Sequence, residues 1–103
     1  MRNARVEVHG VPAGVLEEVR PGAEYVFQYL EGYEGPPVSL TMPLSTREFR
    51  FTSFPPFFDG LLPEGVQLEA LLRLKKIDRN DLFSQLIAVG RDLVGAVTVS
   101  PGE

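Results

Sequence analysis

The first half of the chain alternates hydrophobic and polar residues with a period of two, which is typical of half-buried β-strands. Residues 5–8 and 15–19 flank a Gly-Val-Pro-Ala-Gly stretch, and this order predicts an opening β-hairpin with a loop of about five residues. Residues 24–30 are rich in aromatic and β-branched side chains, which also suit a strand. The remaining predicted strands are residues 38–42, 47–52 and 95–99.

The segment 38–42 shows the alternation most simply. A strand there would place Val38, Leu40 and Met42 on one face. The tail that follows the last predicted strand, residues 100–103, is expected to fray.

The hydrophobic spacing changes to a helical period in the second half of the chain. One amphipathic helix is predicted to start near Pro63 or Glu64, and its stripe consists of Leu68, Leu71, Leu72 and Lys75. Asp78 is the predicted N-cap of a second helix, with Asp81 three residues on and Gly90 as the C-terminal stop. The apolar stripe of that helix consists of Leu82, Phe83, Leu86 and Ile87.

These elements predict an α+β domain spanning residues 1–103. We expect a small, mostly antiparallel sheet of about five to six strands, with two to three helices in the C-terminal half. The chain has no cysteine, which excludes disulfides and thiolate metal sites. It shows neither a signal-peptide pattern nor an apolar stretch near the ~20 residues that span a bilayer, so we expect a cytoplasmic protein with no membrane partner.

The residues that usually carry out catalysis are few. His9 is the single histidine and is interpreted as a solvated residue beside a turn. No serine lies in a Gly-x-Ser-x-Gly elbow, no glycine-rich phosphate loop is present, and the acids lack the spacing of a calcium loop. Asp59 and Glu64 could form an acid–base pair, but a turn cap and a first-turn helix acid explain them more simply. The sequence therefore predicts no enzymatic activity, no cofactor and no metal.

The net charge of the chain argues against a further class of function. The formal net charge of −4 argues against free-standing nucleic-acid binding, which relies on neutralising phosphates. A local basic cluster has two interpretations: cations favoured near a helix C-terminus, or an auxiliary contact to a phosphate or an acidic partner. Its members are Arg73, Lys75, Lys76 and Arg79.

Residues 53–65 combine apolar side chains with residues that interrupt regular structure. Three phenylalanines and two leucines stand among three prolines and two glycines. Such a segment must either fold over the core or offer its side chains to another protein. We expect most of its large apolar residues in the core and the others in an exposed patch; the five are Phe54, Phe57, Phe58, Leu61 and Leu62.

Two long motifs occur together in the second half. Pro-Phe-Phe-Asp-Gly-Leu-Leu-Pro-Glu-Gly spans residues 56–65, and Val-Gly-Arg-Asp-x-x-Gly-Ala spans residues 89–96. This combination resembles the N-terminal subdomain of HipA-type toxin kinases, whose kinase-like core holds the ATP site and the catalytic residues. Because that core is distinct from the N-terminal subdomain, the resemblance assigns no catalytic residue to this sequence. A free-standing copy of the subdomain resembles the HipS family, the small component of tripartite HipB–HipS–HipT systems.

The resemblance implies an antitoxin-like protein that binds and inhibits a HipT-type serine/threonine kinase in a type II toxin–antitoxin system. It also implies a HipB-like helix-turn-helix protein in the same complex, through which alone the chain would contact DNA. Docking of the segment 54–65 against the kinase is the expected contact, with Arg91 and Asp92 either fixing their loop as an ion pair or adding to the interface. The expected partner-binding residues are Phe54, Phe57, Phe58, Asp59, Leu61, Leu62, Glu64, Arg91 and Asp92.

Two other functions remain open on the sequence. The chain could be a non-inhibitory structural subunit of a split HipA-like kinase. It could also be a small-ligand or peptide-binding module that uses a sheet edge and the aromatic segment.

Overall fold

A computed structural model describes residues 2–93 and 95–102 of the chain. The strands are β1 (Arg2–Val8), β2 (Val11–Arg20), β3 (Glu24–Tyr29), β4 (Glu48–Phe51) and β5 (Val97–Pro101). The helices are α1 (Pro56–Asp59), α2 (Gly65–Lys75) and α3 (Leu82–Val89), and α3 runs into a 3₁₀ turn at Gly90–Asp92. The predicted α+β class, with a sheet followed by helices in the C-terminal part, is confirmed.

The sheet is antiparallel, with the strand order β4-β3-β2-β1-β5. β5 returns from the helical half and pairs with β1, where Val99 lies opposite Val6. One face of the sheet is covered by aromatic side chains and by α3. The hydrophobic core lies between this face and the residues that cover it. The largest buried side chains are Phe27, Phe58, Phe83, Leu16 and Leu86.

The opening hairpin is tighter than the sequence predicts. His9 and Gly10 both have positive φ, 51° and 78°, and form a two-residue turn after which β2 begins at Val11. The predicted loop of about five residues is therefore wrong. Gly14, which looked like a turn glycine, lies within β2, where a Cβ atom would be 2.7 Å from the ring of Phe27. Its missing side chain makes room for that ring.

Residues 38–42 form a turn and not a strand of the sheet. The amide of Met42 donates to the carbonyl of Ser39 at 3.0 Å, and the two residues make an isolated bridge. Val38 and Met42 are buried as predicted, but Leu40 is 94% exposed at the tip of the turn. The hydroxyl of Tyr29 explains this, because it accepts from the Val38 amide and donates to the Met42 carbonyl. Both ends of the segment are thereby attached to β3.

Helix α3 begins at a different cap from the predicted one. The carboxylate of Asp81, not of Asp78, accepts the amide of Ser84 at 3.1 Å and caps the first turn. Asp78 instead accepts the amide of Asn80 at 2.8 Å, in the turn that precedes the helix. Helix α2 begins at Gly65, within one or two residues of the predicted start.

The C-terminal tail is ordered where the structure describes it. Ser100 and Pro101 belong to β5, and the amide of Gly102 donates to the carbonyl of Asn3 at 3.1 Å. The prediction that this tail frays is wrong for residues 100–102, and Glu103 lies outside the described residues. Among residues 2–93 and 95–102, no helix has the length and apolar character needed to span a membrane.

Candidate partner-binding surface

The aromatic segment, residues 54–65, places two of its phenylalanines in the core. Phe54 meets Tyr25 edge to face, with ring centroids 5.4 Å apart, and is buried. Phe58 is fully buried, with its ring centroid 5.9 Å from that of Phe27. Pro55 and Pro56 start the short helix α1 that carries Phe58 inward. These phenylalanines attach the segment to the sheet.

The other three apolar residues of the segment are half-buried. Phe57, Leu61 and Leu62 pack against the outside of the core, and the ring of Phe57 lies edge to face on Phe58 at 5.2 Å. The backbone continues past α1 in tight turns, because the amides of Leu61 and Leu62 donate to Phe58 and Asp59. None of the five is largely exposed, so the segment by itself does not form the expected exposed patch.

A groove of about 470 Å³ separates the loop before α2 from helices α2 and α3. Leu62, Leu68 and Leu82 give it apolar walls, and the carboxyl-bearing residues Asp59 and Glu64 lie exposed at it. Of the residues that the structure describes, no basic one lines it. We call it the acidic groove. Three of the predicted site residues therefore lie at the same groove: Asp59, Leu62 and Glu64.

The two acids of the groove are available to a partner. Among the described residues neither Asp59 nor Glu64 takes part in an ion pair. Glu64 is the N-cap residue of α2, but its side chain makes no capping hydrogen bond. Two carboxylates beside leucine side chains can bind a basic residue that is set in an apolar surface.

Helix α2 is the part of the surface that the sequence analysis did not identify. It contains six apolar residues among eleven, yet no residue of α2 is buried. Val66 is 86% exposed and Leu74 is 79% exposed, whereas Leu68 lies in the wall of the acidic groove. The predicted stripe of leucines accounts for only part of this set. The signal that was missed is the presence of apolar residues on more than one side of the helix, which is typical of a helix with a further partner.

The basic cluster at the end of α2 is exposed. Arg73 and Lys75 lie in the last turn of the helix, where the helix dipole favours cations, and Lys76 follows in the left-handed conformation. Arg79 is held by Glu69, with its Nη2 atom 2.7 Å from Oε2. The dipole therefore explains the position of two of these cations, and an ion pair explains a third.

Arg91 and Asp92 lie apart from the groove, in the exposed 3₁₀ turn before β5. The expected ion pair between them is not formed within the part of the chain that the structure describes. Gly90 fixes this turn instead, because it is buried against the backbone of Val99.

The acidic residues and the histidine that the structure describes form no candidate metal centre. No group of three or more His, Cys, Asp or Glu side chains among them could hold a metal ion. His9 is exposed in the β1–β2 turn, far in sequence from the acids of the groove.

A model of the HipA N-terminal domain family matches residues 4–100. The chain belongs to this family. The N-terminal domain of HipA toxin, a solved structure, superimposes with a TM-score of 0.78 at 29% sequence identity and covers 100% of this chain and 94% of that one. The resemblance that the two motifs indicate is therefore confirmed, and it associates this domain of the HipA family with toxin–antitoxin systems.

Two protein relatives differ greatly in length. An uncharacterized protein of Haemophilus influenzae is 31% identical over 99 residues, which cover 96% of this chain and 92% of that protein. The putative kinase Y4dM of Sinorhizobium fredii is 34% identical over 107 residues, which cover 95% of this chain but 26% of the kinase. The chain thus spans about a quarter of that kinase. The HipA N-terminal subdomain itself is a non-catalytic domain.

Proposed function

We propose that the chain is an antitoxin-like protein that binds and inhibits a HipT-type serine/threonine kinase of a type II toxin–antitoxin system. The observation that carries this proposal is helix α2, which leaves Val66 86% exposed and Leu74 79% exposed in a domain of the HipA family. A domain that occupies about a quarter of a putative kinase supports a kinase as the partner that covers this helix.

The contact has an apolar and an acidic part. Burial of Val66 and Leu74 against the kinase contributes about 1.5–3 kcal/mol each before the costs of association. Asp59 and Glu64 bind basic side chains of the kinase beside Leu62. The partly buried Phe57 and Leu61 border the contact, and the buried Phe54 and Phe58 support it from the core.

The proposed inhibition of the kinase depends on where the domain docks. A domain docked through the acidic groove and α2 obstructs the active cleft of the kinase or prevents its productive conformation. The acids Asp59 and Glu64 are suited to basic groups that otherwise bind phosphate. Arg91 and Asp92, exposed in their turn, add a peripheral contact.

The complex contains a third protein. A HipB-like helix-turn-helix protein supplies DNA binding, and this chain reaches DNA only through that protein. A net charge of −4 is in keeping with this division.

The test is to titrate the purified chain into its kinase and measure autophosphorylation together with the dissociation constant. The expected result is loss of kinase activity on binding. Val66→Asp and Leu74→Asp should weaken binding at least about tenfold, because each places a charge in an apolar contact. Leu40→Asp is the matched control, since Leu40 is 94% exposed in the turn of residues 38–42, outside α2, and its substitution should leave the affinity unchanged.

The acidic part has its own readout. Asp59→Asn with Glu64→Gln should slow association and reduce its dependence on ionic strength, since rim charges act mainly on the association rate. An affinity that is equal for all these variants would refute this surface.

A non-inhibitory role in a split kinase is the second candidate, and one observation favours it. The putative kinase of Sinorhizobium fredii contains the matching region within a single chain, where the domain accompanies the rest of the kinase permanently. In that case the same titration gives tight binding with unchanged or raised autophosphorylation. Such a result would replace inhibition by support and leave the binding surface as described.

A further inference from the structure

A second groove, of about 500 Å³, lies between the first residues of β1, the end of β5, the C-terminal end of α2 and one side of α3. Its floor is apolar and consists of Ile77, Phe83, Ile87 and Ala88. We call it the terminal groove. It shares no lining residue with the acidic groove, so it is a separate site.

The charged residues that line the terminal groove among the described residues are both basic. Arg2 lines one wall, but its guanidinium is engaged, donating to Ser84 Oγ at 2.7 Å and lying 4.9 Å from the ring centroid of Phe83. Lys75 is exposed at the rim and takes part in no ion pair among residues 2–93 and 95–102. Within the described residues, no carboxylate lines the groove. An apolar segment with an acidic residue opposite Lys75 complements this surface.

The groove also lies where the family passes from this domain to the rest of a HipA protein. The match to the family model ends at residue 100, and Pro101, the next residue, lines the groove. The amide of Gly102 is bound to the carbonyl of Asn3, another lining residue, so the backbone leaves the sheet beside the groove. Because the matched family is that of an N-terminal domain, we take the rest of a HipA protein to follow the last matched strand, β5.

We propose that the terminal groove binds the N-terminal segment of the partner kinase, an apolar stretch with an acidic residue at the Lys75 rim. When the domain and the kinase are separate chains, this segment starts where β5 ends and takes the place of a covalent connection. The inference rests on the proposed kinase partner, and it adds a second contact, at the C-terminal end of α2 and separate from the acidic groove.

The test uses the absence of cysteine from the chain. Lys75→Cys carries a photo-crosslinker at the rim of the groove, and Ala23→Cys, in the exposed β2–β3 turn, is the control. After irradiation of the complex with the full-length kinase, the expected crosslinks from position 75 lie in the first residues of the kinase. The control position should give no crosslink there.

Affinity gives a second measurement. Lys75→Glu and Ala88→Gln should each lower the affinity for the intact kinase about tenfold, the first by charge and the second by filling the groove. Neither should affect a kinase that lacks its N-terminal segment. A complex that forms normally but crosslinks elsewhere, or that binds the shortened kinase equally well, overturns this inference alone. Failure of the unsubstituted chain to bind the kinase at all overturns the proposed function with it.

Discussion

Arg2 and Asp81 are separated by 79 positions in the sequence, and Nη2 of Arg2 lies 2.9 Å from Oδ1 of Asp81. The same guanidinium lies 2.7 Å from Oε1 of Glu18, whose side chain is only 4% exposed. The hydroxyl of Tyr25 donates to the second oxygen of Glu18 at 3.1 Å. The first strand is thereby joined to the N-terminus of α3, and a buried carboxylate depends on one exposed cation.

Replacing Arg2 with alanine should lower the free energy of unfolding by about 2–3 kcal/mol, because among the described residues it leaves the buried Glu18 carboxylate with Tyr25 as its remaining partner. Urea denaturation followed by far-UV circular dichroism measures this. Arg5→Ala is the control, since Arg5 is an exposed residue of the same strand without an ion pair among the described residues, and it should change stability by less than about 0.5 kcal/mol. Equal effects of the two substitutions would contradict the network.

Asp81 makes stability depend on acid pH. Burial alone would raise the pKa of Asp81, but hydrogen bonds from Arg2 and Ser84 outweigh it and hold the pKa below its ordinary value of 3.8. The stabilisation is therefore fully present above that value and is lost as the pH falls through the lower pKa of the folded protein. Asp81→Asn should be less stable than the unsubstituted chain near neutral pH, and the difference should shrink in acid. Urea midpoints across this range measure it, and a difference that stays constant with pH would refute the role of the Asp81 charge.

The fold class could be predicted because alternation and helical spacing are local properties of the sequence. Alternation predicted the strands of the sheet, and helical spacing predicted α3. The errors came from interactions between distant residues. Leu40 leaves its predicted strand because the Tyr29 hydroxyl holds both ends of the turn, and no pattern within residues 38–42 reveals that contact. Likewise, Gly14 looks like a turn residue until the ring of Phe27 is placed beside it.

The candidate site could be predicted only in part. The sequence drew attention to the aromatic segment, and Asp59, Leu62 and Glu64 do meet in one groove. Helix α2 was predicted, but it was not identified as a candidate partner-binding surface, because its hydrophobic stripe was assumed to face the core of the same chain. Periodicity shows that a helix has an apolar side but not which molecule covers it.

The aromatic segment should divide into supports and contacts when it is substituted. Phe58→Ala should destabilise the domain by about 3–5 kcal/mol, because it removes a fully buried ring next to Phe27. Phe57→Ala should cost clearly less, since Phe57 is half-buried. Thermal unfolding orders the two variants, and a larger loss for Phe57 would contradict this division.

Gly90 is required by close packing and not by an unusual backbone angle. The sequence suggested a glycine stop for α3, and the helix does end at Val89, but φ of Gly90 is −58°, an angle that any residue adopts. A Cβ atom at this position would lie 2.0 Å from the carbonyl oxygen of Val99. The glycine therefore lets the 3₁₀ turn that carries Arg91 approach β5.

Gly90→Ala should destabilise the domain by about 2–3 kcal/mol, because the added methyl group meets rigid backbone and pushes the turn away from β5. Gly60→Ala is the matched control: Gly60 also follows a helix with φ of −65°, but its nearest neighbour is the Phe57 carbonyl oxygen at 3.4 Å. That variant should be neutral or stabilised by up to about 1 kcal/mol, since alanine restricts the unfolded chain. Urea denaturation of both variants, with amide hydrogen exchange in β5, separates the two effects. Retention of full stability and of β5 protection by Gly90→Ala would mean that the turn does not need this close approach.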